Sequence, residues 1–155
     1  MRGAYEVKVF DSPSALRDAI FAKNRHGKHD SRLLAGYCWD WVSKNDAKAM
    51  DIEFLDDDFA MQWNLTRHGQ GWMAEPDGVN QIGCVFTSQG LEGSYMGVIV
   101  GDDFIVRDGV VITNALARAS TDRESLWGWN MTAASSLAGR VRFKGIQCKM
   151  SFKLR

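Results

Sequence analysis

Residues 81–101 contain the residue types best suited to ligand chemistry. The apolar run Q-I-G-C-V-F is followed at once by Thr87, Ser88, Gly90 and Glu92, and a second apolar run, Y-M-G-V-I-V, comes just after them. Hydroxyls can donate to phosphate oxygens, a glycine lets a ligand come close, and a carboxylate can accept hydrogen bonds from ribose hydroxyls. The pattern therefore suggests a phosphate or nucleotide contact between two buried strands.

A strand that leads directly into a helix would position these groups. We expect strands over residues 81–86 and 95–100, with residues 87–92 turning into a short helix. The N-terminus of such a helix presents free N–H groups and a positive dipole end, which suits phosphate. An ordinary capped helix between two core strands has the same spacing, so both interpretations stay open.

The rest of the chain alternates apolar strands with helical segments. Residues 5–10 alternate polar and apolar side chains, and residues 32–39 form a nearly continuous apolar run typical of a strand buried on both faces. Between them, Ser12 and the proline after it start a predicted helix over residues 13–24. This order predicts an α/β domain with a mostly parallel sheet flanked by helices.

The second half contains weaker signals. Residues 51–55 predict a short strand, and the glycine-rich residues 64–80 predict irregular structure. The Asp108-Gly109 pair predicts a hairpin over residues 104–112, and residues 114–138 have a helical pattern interrupted by one glycine.

Length and charge fit one soluble domain with an asymmetric charge distribution. The chain has 155 residues and a formal net charge of zero. Residues 125–155 carry six basic and no acidic residues, whereas residues 1–124 carry 13 basic and 19 acidic residues, a balance of −6. The basic segment fits either a phosphate-facing surface or a solvated, partly unfolded tail, and we favour the tail.

The use of cysteine indicates a reducing compartment, and the hydropathy of the sequence argues against a membrane-spanning segment. The three cysteines show no Cys-x-x-Cys spacing, which argues against a disulfide framework and a zinc site. No signal-like segment and no apolar run of membrane-spanning length is present in the sequence. We therefore expect a cytoplasmic protein without a membrane partner.

The parts needed to hydrolyse ATP are missing from the sequence. A P-loop requires G-x-x-x-x-G-K-[ST], but Gly27-Lys28 is followed by His29 and lacks the upstream glycine. Without a P-loop, the I-E-F-L-D-D-D run at residues 52–58 predicts an acidic surface turn rather than a magnesium site. Asp102 and Asp103 either bind magnesium or, as we favour, cap the next turn. We expect no catalytic residue and no metal site in this chain.

The order of several motifs resembles a helicase family. T-S-Q-G-L-E is similar to motif V of superfamily 1 helicases. With it occur S-R-L-L-A-G-Y-C-W-D-W (31–41), W-N (63–64), I-G-C-V-F-T-S-Q-G-L-E…Y-M-G-V-I-V-G-D-D (82–103), V-R-D-G-V-V-I-T (106–113) and R-A-S-T-D (118–122). Together they resemble the C-terminal half of the bacterial Schlafen-group-3-like DNA/RNA helicases. The resemblance implies a second RecA-like lobe over residues 1–130, followed by a divergent or partly disordered basic segment over residues 131–155.

The resemblance also implies roles for single residues. In such motors two lobes clamp ATP while single-stranded DNA or RNA crosses them. Gln89 and Gly90 would then lie at the lobe interface and Glu92 would face the nucleotide sugar, while Thr87 and Ser88 would contact the nucleic-acid backbone.

Two further residues are weaker candidates for nucleic-acid contacts. Arg32 opens the strand that resembles motif IV and would contact phosphate. Trp63, like Trp39 and Trp41, would stack on bases, although core packing is the expected role of at least two of the three.

The sequence departs from the family at two places. Gly93-Ser94 replace a bulky apolar residue and an acid, and no motif VI arginine is found, since Arg140 and Arg142 have the wrong context. We expect a motor lobe that binds ATP and Mg²⁺ only beside a P-loop-bearing first lobe, from the same longer protein or a separate chain. A degenerate nucleic-acid-binding or protein-interaction module is the alternative.

Overall fold

A computed structural model of the chain describes residues 7–67, 69–107, 110–122 and 148–152. In chain order its elements are β1 (Val7–Phe10), α1 (Pro13–His26), β2 (Arg32–Ala35), β3 (Ile52–Phe54), β4 (Phe59–Met61), β5 (Ile82–Cys84), β6 (Met96–Ile99), β7 (Phe104–Arg107), β8 (Val110–Thr113) and β9 (Cys148–Phe152). Short 3-10 turns occur at Leu55–Asp57, Gly69–Gly71, Gly78–Asn80 and Ala115–Ala117.

The central sheet has five strands in the order β1-β9-β6-β2-β5. Strand β2 lies between β5 and β6 and is parallel to both, with Leu33 opposite Ile82 on one side and Gly97 on the other. Strand β9 pairs antiparallel with β1 and β6. The predicted α/β class with parallel strands is therefore confirmed. Of the predicted C-terminal segment over residues 131–155, only β9 lies within the described residues.

Helix α1 covers one face of the sheet and follows its predicted start. The Ser12 hydroxyl accepts a hydrogen bond from the Ala15 amide at 3.2 Å, and Asp57 accepts from the Ser14 amide at 2.7 Å. Leu16 is fully buried against β6, where Gly97 leaves the necessary space. A Cβ at Gly97 would lie only 2.8–3.0 Å from the side chains of Leu33, Ile20 and Leu16.

The opposite face is covered by an irregular segment rather than by a helix. Trp72 and Met73 are buried against Leu34 and Met96. The Trp72 ring lies so close to β5 that a Cβ at Gly83 would be 2.1 Å from it. Irregular structure is confirmed here, and among the described residues α1 is the one α-helix that flanks the sheet.

Two hairpins lie outside the central sheet. Strands β3 and β4 pair antiparallel around the acidic residues 56–58, as expected for a surface turn. Strands β7 and β8 form the predicted hairpin, with Phe104 opposite Thr113, and its Asp108-Gly109 turn lies outside the described residues. No helix in the described ranges is long and apolar enough to cross a bilayer.

Candidate functional site

The carboxyl ends of β2, β5 and β6 lie at one edge of the sheet because the three strands are parallel. Ligand sites of α/β domains form at such an edge. The loops after β2, β5 and β6 all leave from it, and residues 114–122 return to it, since the Ala119 amide donates to the Tyr37 carbonyl at 3.0 Å. We call this the carboxyl edge.

The loop over residues 85–93 differs from the predicted helix. Residues 85–90 form consecutive turns, so the expected helix after Thr87 is wrong. The Thr87 hydroxyl donates to the Cys84 carbonyl at 3.0 Å, and the Ser88 hydroxyl donates to the Val85 carbonyl at 2.8 Å. Gly90 then adopts a φ of +77°, in the left-handed region, which a helix cannot contain. Side-chain bonds to nearby carbonyls compete with helix formation in this way.

These hydrogen bonds change which donors the loop can offer. Each hydroxyl proton already points to a carbonyl, so Thr87 and Ser88 offer lone pairs rather than protons to a ligand. Within the described chain, the main-chain amides of Ser88, Gln89 and Gly90 have no acceptor. A Cβ at Gly90 would meet no atom within 4 Å, so the surroundings of that position are open. Three successive amides, rather than the N-terminus of a helix, are therefore the main-chain donors that this loop could offer to a ligand.

Glu92 follows these amides in a segment without regular secondary structure. Its side chain is exposed and forms no ion pair within the described residues. The departure at Gly93-Ser94 has a packing reason. A Cβ at Gly93 would lie 2.6 Å from the Asp30 carbonyl, and the Ser94 hydroxyl donates to the Asp30 carboxylate at 2.9 Å. The residues after Glu92 thus anchor the loop to the segment that precedes β2.

Arg32 lies at the other end of β2 and is 1% exposed. Its guanidinium donates to the carbonyls of Met73 at 2.6 Å and Glu75 at 2.9 Å. It also donates to the carbonyls of Ser31 and His29 and to the Asn24 side chain. Burial lowers the pKa of Arg32, and the charges of Asp30 and Asp77 act in the opposite direction. A phosphate contact would require Arg32 to leave all these partners, so we assign it a structural role.

Trp63 lies in the core and is 3% exposed. Its indole N–H donates to the Ala35 carbonyl at 3.2 Å, and its ring packs against Tyr37 and Trp41, with centroids 4.8 and 5.6 Å away. Trp39 packs edge-on against Phe54. The three tryptophans therefore pack against core aromatic rings, and base stacking by Trp63 would need the domain to open.

A charged cluster at the carboxyl edge was not predicted from the sequence. Arg118 donates to Asp122 at 2.5 Å and to Asp103 at 2.8 Å, and all three side chains are at most 18% exposed. Burial opposes the charge of Arg118, but the hydrogen bond and charge of Asp122 outweigh it and raise the Arg118 pKa. The i,i+4 spacing of Arg118 and Asp122 was a signal that pointed to this pairing. Asp103 thus forms a salt bridge with Arg118.

Cys38 lies beside this cluster, and its thiol is protonated at neutral pH and therefore weakly nucleophilic. Burial and a hydrogen bond to the Asp103 carboxylate raise the pKa of Cys38 to about 12, and burial also raises the pKa of Cys84. Both cysteines are free thiols. Within the described ranges no three His, Cys, Asp or Glu side chains form a group that could hold a metal ion. Arg140 and Arg142 lie outside the described residues.

Comparisons with known proteins give one family and one relative. The model of the family "Schlafen group 3, DNA/RNA helicase domain" matches residues 1–136. An uncharacterized protein of Saccharomyces cerevisiae, YPL245W, is 31% identical over 100 residues, which are 63% of this chain. The aligned part covers 21% of that protein, so the chain spans about a fifth of its relative. No solved structure matches the chain.

Proposed function

Because the chain belongs to the Schlafen group 3 DNA/RNA helicase domain family, we propose that it is the second RecA-like lobe of a nucleic-acid-dependent ATPase. The loop over residues 87–92 would complete an ATP site that a P-loop-bearing first lobe provides. ATP and Mg²⁺ would bind only when both lobes are present. Thr87 and Ser88 would contact a single strand of DNA or RNA by accepting hydrogen bonds from base N–H groups or, in RNA, from 2′-hydroxyls, because phosphate oxygens cannot donate.

The position of Glu92 is the observation that carries this proposal. Its carboxylate is exposed in the connection that runs from the carboxyl end of β5, past the open amides of residues 88–90, to the amino end of β6. An exposed carboxylate that no cation neutralises can accept two ribose hydroxyls, and adjacent amides can bind phosphate oxygens. Gln89 and Gly90 would then lie between the lobes.

The experiment adds the chain to the separately purified P-loop lobe of its own full-length protein and measures ATP hydrolysis with single strands present. We expect no turnover by the chain alone and stimulation by the pair. Glu92→Ala should raise the KM for ATP about tenfold, since a hydrogen bond to a charged group contributes about 1.5 kcal/mol. Glu53→Ala is the matched control, because Glu53 is an exposed carboxylate on β3, outside the loop over residues 85–93.

Absence of stimulation, or an equal effect of both substitutions, would contradict the motor-lobe proposal. The second candidate, a protein-interaction module, has its own observation. Phe86 and Leu91 bracket the loop and are 57% and 38% exposed, while residues 79–106 contain no basic residue and two exposed acidic ones, Glu92 and Asp102. Exposed apolar side chains on an acidic surface fit a basic protein partner. Binding of such a partner without any ATP dependence would favour this candidate.

A further inference from the structure

A concentration of positive charge lies at the end of the sheet opposite the carboxyl edge. Residues 23–29 contain two lysines, one arginine and two histidines and no acidic residue. All five side chains are exposed. The segment is the last turn of α1 and the loop before β2, so it lies at the amino end of that strand. We call residues 23–29 the basic tip.

The charges of the basic tip are not neutralised by carboxylates. Within the described chain Lys23, Arg25 and Lys28 form no ion pair, whereas Arg17 and Arg67 each pair with an aspartate. Lys23 lies 4.5 Å from the centroid of the Tyr95 ring, which keeps its ammonium group at the surface.

Two carboxylates lie close enough to act on the charge of Arg32. Asp30 and Asp77 are the two aspartates whose charges reach Arg32, which is directly beneath the tip. Asp30 accepts a hydrogen bond from Ser94, and Asp77 accepts one from Arg67 at 3.2 Å. The exposed side chains of Lys23, Arg25 and Lys28, which form no ion pair in the described chain, therefore present positive charge to solvent.

The buried arginine holds the backbone of the tip in one conformation. Arg32 donates to the His29 carbonyl at 3.0 Å, and the Asn24 side chain accepts from the Ser31 amide at 3.2 Å. His29 has a φ of +61°, in the left-handed region. Asn24 is 5% exposed, so a buried polar network fixes an exposed loop.

Two simpler explanations account for only part of this arrangement. The helix dipole favours cations in the last turn of α1, which covers Lys23, Arg25 and His26. It does not extend to Lys28 and His29, which follow the helix. A merely solvated charge run would not need a buried network to fix its backbone.

We propose that the basic tip binds the phosphates of a nucleic-acid strand, at a site separate from the carboxyl edge. Closely spaced cations that no carboxylate neutralises match the repeating phosphates of a strand. Family membership favours nucleic acid over an acidic protein, because the matching family is one of DNA/RNA helicase domains. Arg32 acts as a positioning residue for this site, and Lys23, Arg25 and Lys28 supply the contacts. The site does not depend on ATP or on a first lobe.

The test compares two triple charge reversals in the full chain. Lys23→Glu/Arg25→Glu/Lys28→Glu changes the basic tip, and Lys8→Glu/Lys44→Glu/Lys48→Glu changes three exposed lysines elsewhere. Both variants move the net charge from zero to about −6, so they differ in position and not in total charge. Binding of a fluorescently labelled oligothymidylate, about 20 nucleotides long, is measured by anisotropy between about 50 and 200 mM salt.

We expect the tip variant to bind about tenfold more weakly at the lower salt concentration. The slope of log affinity against log salt should fall by about 2, because each single-strand phosphate contact contributes about 0.7. The control should keep the wild-type slope. Equal losses in both variants, no loss in either, or tighter binding of polyglutamate than of the oligonucleotide would overturn the proposal. ATPase stimulation by a P-loop lobe is a separate readout, so failure of one proposal leaves the other intact.

Discussion

Replacing Arg32 by methionine removes the hydrogen bonds of a buried guanidinium while keeping most of its length. Arg32 joins three parts of the chain, since its partners lie in α1, in the loop before β2 and in the segment that covers the opposite face of the sheet. Arg32→Met leaves the carbonyls of Ser31 and Met73 buried without this donor, and those of His29 and Glu75 partly buried. The change therefore tests whether this network holds the domain together.

The expected loss of folding stability follows from the number of carbonyl acceptors that lose their donor. A buried acceptor left unsatisfied costs about 1–3 kcal/mol, so two cost about 2–6 kcal/mol, and the partly buried pair adds to this. Removing a charge from the interior returns part of that cost. We expect a net loss of about 3–5 kcal/mol, a large fraction of the roughly 5–15 kcal/mol that stabilises a typical domain.

Urea unfolding followed by tryptophan fluorescence measures this loss. With a slope of about 2 kcal/mol per M, the midpoint should fall by about 2 M. Arg17→Met is the control, because Arg17 forms a partly exposed pair with Asp18 and such a pair contributes about 1 kcal/mol or less. A midpoint for Arg32→Met that matches the control would refute the structural role of Arg32.

Three further outcomes are expected. Because the pKa of Cys38 is raised from 9.0 to about 12, native Cys38 should be alkylated far more slowly at about pH 8 than in unfolded chain, as read by peptide mass mapping; equal rates would contradict this. By linkage, the stability due to the raised thiol pKa is complete below pH 9.0 and is lost as the pH rises toward about 12, so the urea midpoint should fall over that range more in wild type than in Cys38→Ala. Gly83→Ala should destabilise the domain by about 1–3 kcal/mol, because the added Cβ would clash with Trp72. Gly71→Ala, with no atom within 4 Å of the added Cβ, should be close to neutral, and similar thermal midpoints of the two variants would refute this packing.

Local patterns in the sequence were enough to identify several elements. The Ser12-Pro13 start and the spacing of Leu16 and Ile20 predicted α1, which ends two residues beyond the predicted end at residue 24. The apolar runs predicted β2, β5 and β6, although the strands are shorter than the runs. Hydrophobic periodicity and capping act over a few residues, so they can be read without the fold.

The roles of single side chains depended on contacts between distant parts of the chain. Arg32 is a candidate phosphate contact by its place at the start of the strand that resembles motif IV, but its partners Met73 and Glu75 lie more than 40 residues away. Trp63 looked suited to stacking, yet its partners at residues 35, 37 and 41 place it in the core.

The sequence by itself determined the α/β class, the family and the segment that contains Thr87 and Glu92, because these depend on local patterns and motif order. The tertiary structure decided that the segment is a turn with open amides, because hydrogen bonds from Thr87 and Ser88 to the preceding carbonyls displace the helix. It also decided which cations reach solvent. The guanidinium groups of Arg32 and Arg118 are hydrogen-bonded within the domain, whereas Lys23, Arg25 and Lys28 are exposed and form no ion pair in the described chain. That difference exists only once the chain is folded.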